Sequence, residues 1–159
     1  MKITIIAVGK AREKFIKEGV KEYTKRLSRF CNIKIIETED EQVPNNISPA
    51  QEKLIKKKEG ERILKRARPG STLIALDMKG VKLNSEGFAA KLNQYALYGD
   101  SDITFIIGGS IGLDDEIIQT ANLKLSLSDM TFPHQLVRII LLEQIYRAFK
   151  IINDEIYHK

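Results

Sequence analysis

Ile103-Thr104-Phe105-Ile106-Ile107-Gly108-Gly109-Ser110-Ile111-Gly112-Leu113 is a short apolar, β-branched run that stops at paired glycines. Such a run reads as a buried strand that leaves its sheet through a tight turn. Two other stretches have the same form. Residues 72–76 run into Leu76-Asp77-Met78-Lys79-Gly80. Residues 123–127 run into Leu125-Ser126-Leu127-Ser128-Asp129-Met130-Thr131-Phe132-Pro133-His134. In an open α/β sheet, ligands sit outside the carboxyl ends of strands. The three turns are therefore expected to meet at one small-molecule pocket.

Outward from these turns the chain alternates strand and helix. Residues 3–8 form a continuous apolar run closed by Gly9, and residues 33–37 form a second strand. Between them Phe15, Ile16, Val20, Tyr23, Leu27 and Phe30 recur at helical spacing. Residues 38–47 are acidic, then polar, and read as a loop. Ser48-Pro49-Ala50-Gln51 is a helix start, with Ser48 as cap, Pro49 in the first turn and Gln51 reaching back. That helix ends at Pro69-Gly70. A third helix is expected over residues 85–98, with Phe88, Leu92 and Tyr95 inward, and a short fourth over residues 114–121. Pro133 opens a last helix that is apolar nearly all round, as expected of one buried on more than one face. Five such alternations imply an α/β fold, with a mostly parallel sheet covered by helices on both faces. The 159 residues are expected to form one domain.

Charge divides this chain. Residues 1–70 hold 18 Lys/Arg against 10 Asp/Glu, and residues 71–159 hold 8 against 11. A basic half beside a pocket-bearing half suggests an enzyme that acts on nucleic acid. Cys31 is the only cysteine, which excludes an intrachain disulfide and fits a reducing compartment. The first apolar run is too short for a secretory signal, and no stretch approaches membrane-spanning length. The expectation is a cytoplasmic protein without membrane contact.

Several chemistries lack their motifs. The glycine turn follows the fourth strand rather than the first, and Ile107 stands where a dinucleotide fingerprint needs its first glycine. An NAD-dependent oxidoreductase of Rossmann type is thus the weaker alternative. No phosphate-binding G-x-x-x-x-G-K-[ST] loop and no G-x-S-x-G elbow occur. His134 and His158 are the only histidines, and no cluster has metal-ligand spacing, so no metal is expected. His134 and Arg138 sit four apart at the start of the last helix, placed to hold a phosphate or polarise a carbonyl near residues 128–132. Glu143 and Arg147 have the spacing of a structural ion pair. Tyr157 and His158, at the chain end, are a frayed tail by default or a base-stacking pair.

Gly108-Gly109-x-x-Gly112-Leu113, Leu125-Ser126-Leu127-Ser128, Pro133-His134-Gln135-Leu136-Val137-Arg138, Glu143-Gln144-Ile145-Tyr146-Arg147-Ala148 and Tyr157-His158-Lys159 occur here in this order. Together they closely resemble the ribosomal large-subunit RNA methyltransferase H family of the SPOUT class, along nearly the whole chain. Two positions depart from it: Ile111, where relatives often carry an acid, and Ile156, where many carry proline. The resemblance implies a C-terminal trefoil knot, a topology that pattern reasoning would not propose. It implies residues 71–159 as the cofactor-binding, knotted part and residues 1–70 as the RNA-facing part. It implies S-adenosylmethionine held by Leu76, Gly108, Gly109, Leu127, Ser128, Asp129, Met130, Thr131 and Phe132. It further implies a homodimer that methylates N3 of a pseudouridine in a large-subunit rRNA stem-loop on the assembled ribosome. His134, Arg138, Tyr157 and His158 are the candidates for stabilising the imide anion or orienting the base. A non-enzymatic ribosome-assembly factor is the remaining alternative.

Overall fold

Five strands and five helices alternate along the chain in the computed structural model, which describes residues 1–157. They are β1 (Lys2–Val8), α1 (Lys14–Leu27), β2 (Asn32–Thr38), α2 (Pro49–Arg66) and β3 (Thr72–Lys82), then α3 (Ser85–Leu97), β4 (Asp102–Ile107), α4 (Asp115–Thr120), β5 (Leu123–Ser126) and α5 (His134–Ile152). The strands form one parallel sheet in the order β2-β1-β4-β3-β5. The most apolar runs, β1 and β4, lie side by side within it, buried along nearly their whole length. The less apolar β2 and the four-residue β5 take the edges.

The two-residue period of a strand divides the core. Ile3, Ile5 and Ala7 of β1, with Ile103 and Phe105 of β4, face α1, α3 and α5. Ile6 and Val8, with Ile106, face Ile63 of α2 and Ile117 of α4. Helices therefore cover both faces, as the alternation predicts. α5 packs on α1, α3 and β4, and buries Leu141, Leu142, Ile145 and Phe149.

Local chemistry sets the element ends. Ser48 accepts from the Gln51 backbone N–H at 3.2 Å, and the Gln51 side chain accepts from the Ser48 N–H at 2.9 Å. This is the capping box expected from the sequence. Asn84 caps α3 by accepting from the Gly87 N–H at 2.8 Å. β3 differs from expectation. It was expected to end at residue 76, yet it runs to Lys82, with both Leu76 and Val81 opposite Leu125. Residues 77–80 bulge out between the two pairings. Gly80 permits this, because a Cβ there would lie 2.6 Å from the Lys124 carbonyl.

Candidate functional site

The carboxyl ends of β3, β4 and β5 open into a cavity of about 340 Å³. Its walls are the three predicted turns. Leu76, Asp77 and Met78 come from the end of β3 and its bulge. Ile107, Gly108, Gly109, Ser110 and Gly112 come from β4 and the glycine turn. Leu125, Ser126, Leu127, Ser128, Met130, Thr131, Phe132 and Pro133 come from β5 and the loop after it. His134 and Val137 close it from the first turn of α5. The lining is apolar side chain interleaved with irregular backbone, a surface that can grip a flat heterocycle while its N–H and C=O groups read the edge.

Each turn is braced locally. Gly112 donates its N–H to the Gly109 carbonyl at 3.2 Å, with φ at +92°, a region that favours glycine. A Cβ on Gly108 would stand 2.9 Å from the Gly112 carbonyl carbon, so the turn closes on itself only without side chains. In the third turn Ser126 Oγ donates to the Ser128 carbonyl at 3.1 Å, and Ser128 Oγ accepts from the Met130 N–H at 3.0 Å.

Leu76, Gly108, Gly109, Leu127, Ser128, Met130, Thr131, Phe132 and His134 all line this cavity. Asp129, also expected there, does not: it is mostly exposed and pairs with Lys82. Burial depresses the His134 pKa below 6.5, aided by the nearby Arg138 charge, so its imidazole is neutral at pH 7.

Arg138 is placed differently from its expectation. It is 1% exposed. Nη2 donates to the Val8 and Gly9 carbonyls at 2.9 and 2.6 Å, and Nη1 donates to Glu37 Oε1 at 2.7 Å. The same Glu37 oxygen accepts from the Ala11 N–H at 2.8 Å, and Gln135 Nε2 donates to the Lys10 carbonyl at 2.9 Å. Arg138 thus ties α5 to the turn after β1 and does not line the cavity. The i, i+4 spacing fixes which helix face a side chain leaves from; which neighbour it meets is set by the sheet.

Tyr157 docks on α5 rather than fraying. Its Oη donates to Glu143 Oε1 at 3.1 Å, and its ring meets Tyr146 edge-on at 5.3 Å. Burial, with the Glu143 hydrogen bond, pushes its pKa up to about 12. Glu143 also holds Arg147 at 2.6 Å, the ion pair expected from the spacing. His158 lies outside the described residues. Burial pushes the Cys31 thiol up to about 11, which makes it a poor nucleophile. Among the described residues no group of three or more His, Cys, Asp or Glu is placed to hold a metal ion.

One residue at this edge escaped the sequence reading. Glu59, in the middle of α2, is 4% exposed and lies against Gly109. Nothing in its local sequence marks it, since α2 is charged on most of its surface.

The family model described as "predicted SPOUT methyltransferase" matches residues 1–158. The chain is 57% identical over 159 residues to the ribosomal RNA large subunit methyltransferase H of Acetivibrio thermocellus. It is 60% identical over the same length to that of Ruminiclostridium cellulolyticum; in both cases the match covers 100% of each chain. Among solved structures, a methylase family protein from Haemophilus influenzae superposes with a TM-score of 0.53 at 14% identity, over 99% of this chain and 70% of that one. A methyltransferase from Legionella pneumophila, solved with its cofactor SAM bound, superposes with a TM-score of 0.50 at 16% identity, over 93% and 66%.

Proposed function

The chain belongs to the SPOUT methyltransferase family and, within it, to the ribosomal RNA large subunit methyltransferases H, and from that premise we propose that it methylates N3 of a pseudouridine in large-subunit rRNA on the assembled ribosome. The observation that carries this reading is the meeting of all three turns in one cavity. S-adenosylmethionine fits that cavity by its chemistry. Leu76, Val137 and Phe132 offer apolar walls, and the side-chain-free backbone of Gly108 and Gly109 allows close approach. Leu76, Gly108, Gly109, Leu127, Ser128 and residues 130–132 would hold it, with Asp129 outside the cavity wall. Held there, it would supply an electrophilic methyl group for N3, the methyl leaving its sulfur as N3 gives up a proton.

His134, at the cavity and with its pKa lowered by burial, is assigned to receiving that proton or hydrogen-bonding the imide. Arg138 acts at one remove, by holding the start of α5 against the turn after β1. Following the resemblance, Tyr157, docked on α5, and His158, outside the described residues, are assigned to orienting the target base.

The RNA-facing part is residues 1–70. α2 runs from the carboxyl edge of the sheet, where Glu59 lies beside Gly109, to the amino edge, where Arg68 pairs with Asp102 at 2.7 Å. Residues 49–58 therefore stand beyond the sheet, over about 15 Å at helical rise. This half-helix carries exposed Lys53, Lys57 and Lys58, with Lys56 paired to Glu52 at 3.0 Å. RNA affinity should fall steeply as salt rises, and Lys57→Ala with Lys58→Ala should flatten that slope by about two. Exposed Met78 and Met130 at the cavity support a second copy completing the pocket, as a homodimer. The C-terminal trefoil knot, in residues 71–159, belongs to the same reading.

Mass spectrometry of large-subunit rRNA from cells lacking the protein tests this. The expected result is one lost methyl mark, restored by complementation; unchanged rRNA overturns the reading. Titration with labelled S-adenosylmethionine against NAD separates it from the oxidoreductase alternative, which predicts NAD binding. Rebinding of rRNA without methyl incorporation would instead mark an assembly factor.

A further inference from the structure

Glu59 is the buried acid that the proposed reaction leaves unused. Its Oε1 accepts from the Glu41 N–H at 3.0 Å. Its Oε2 is fully buried and has no hydrogen-bond partner among the described residues. A Cβ built on Gly109 would come within 3.1 Å of that Oε2 and 3.2 Å of Val8 Cγ1. The carboxyl group therefore presses on the backbone of the glycine turn, on the side away from the cavity that Gly109 lines. The groups around it are Asp40, Glu41 and Arg62, and Arg62 is already engaged by Glu41 at 2.6 Å. Asp114 lies one residue along, against Gly60.

A buried carboxyl with one idle oxygen is costly, and an apolar side chain of similar size would avoid that cost. Ile63, one turn later on the same helix, shows that this packing suits an aliphatic residue. An expensive polar group at a site that stability does not require points to function. The element that its idle oxygen lies against is the glycine turn, which the Gly112 N–H to Gly109 carbonyl hydrogen bond pins at one point.

We propose that Glu59 is a positioning residue for the glycine turn, bracing residues 108–112 from behind so that their backbone is set to receive the methyl donor. It also joins the half-helix that carries the RNA-facing lysines to the turn that carries the cofactor. This inference rests on the cavity being the S-adenosylmethionine site.

The test compares wild type, Glu59→Met and Glu59→Gln by calorimetric titration with S-adenosylmethionine and by urea unfolding of the unliganded protein. Glu59→Met keeps the volume and removes the polar group. It should weaken cofactor affinity by about tenfold while leaving the unfolding midpoint at or above wild type. Glu59→Gln keeps an acceptor in the same place and should stay within about threefold of wild type. Opposite movement of affinity and stability is the signature of positioning. Wild-type affinity in Glu59→Met overturns the proposal. So does a parallel loss of affinity and stability that Gln does not rescue. A wild-type protein that binds no S-adenosylmethionine overturns the functional reading itself, and this inference with it.

Discussion

The carboxyl edge of the sheet has two ends built on opposite principles. At β3, β4 and β5 the strands release irregular backbone, and the space above them stays open as a cavity. At β1 and β2 the same edge is sealed. Arg138 fills it, bound to the Val8 and Gly9 carbonyls and to Glu37, while Glu59 lies behind Gly109. Doubly wound sheets usually bind ligands where the strand order reverses, which here is between β1 and β4. In this chain that crevice is plugged by buried charge, and the open site is displaced toward β5. A buried ion network can occupy a site as completely as a ligand, and it makes that end rigid where the other must admit a guest.

The sharpest way to break this contrast is to unplug the sealed end. Arg138→Ala removes the donor to two buried carbonyls and leaves Glu37 only the Ala11 N–H, and should cost about 3 kcal/mol in urea unfolding. A loss of turnover with unchanged stability would instead return Arg138 to the chemistry. At the open end, His134→Ala should reduce single-turnover methylation by about a hundredfold while cofactor affinity changes much less. Gly108→Ala tests how closely the turn folds on itself. Its Cβ would stand 2.9 Å from the Gly112 carbonyl carbon. Overpacking of that kind should cost about 1–3 kcal/mol, read as weaker binding in a cofactor titration.

The smallest effect is a pH dependence. The folded-state pKa of His134 lies below its ordinary 6.5. The unfolded chain therefore takes up the proton first as pH falls. The contribution of neutral His134 is present in full above pH 6.5 and is lost progressively below it. Urea midpoints measured from pH 7.5 to 5.5 should decline in wild type and decline less in His134→Ala.

Much of the open end was legible in the sequence. Apolar runs ending in glycine or serine marked the strand ends, and parallel sheets collect such ends on one edge, so Leu76, Gly108, Gly109 and the loop after β5 came together as expected. The capping box of α2 was legible because it needs only neighbours three residues apart. The sealed end was not. Arg138 reads by spacing as a partner of His134 near residues 128–132, and its actual partners Val8, Gly9 and Glu37 lie more than 100 residues away in sequence. Glu59 reads as one more charge on a charged helix. The bulge of β3 needed β5 beside it, since a register shift exists only between two strands.

By itself, then, the amino-acid order determined the alternation of strand and helix, the parallel sheet, the turns that wall the cavity and the unequal division of charge. These follow from periodicity and from residues close in sequence. Only the tertiary structure decided which end of the sheet edge is open, where Asp129 and Arg138 point, and that an acid lies buried behind the glycine turn. Those outcomes depend on which distant groups meet away from water, where an unpaired charge or carbonyl is too costly to leave.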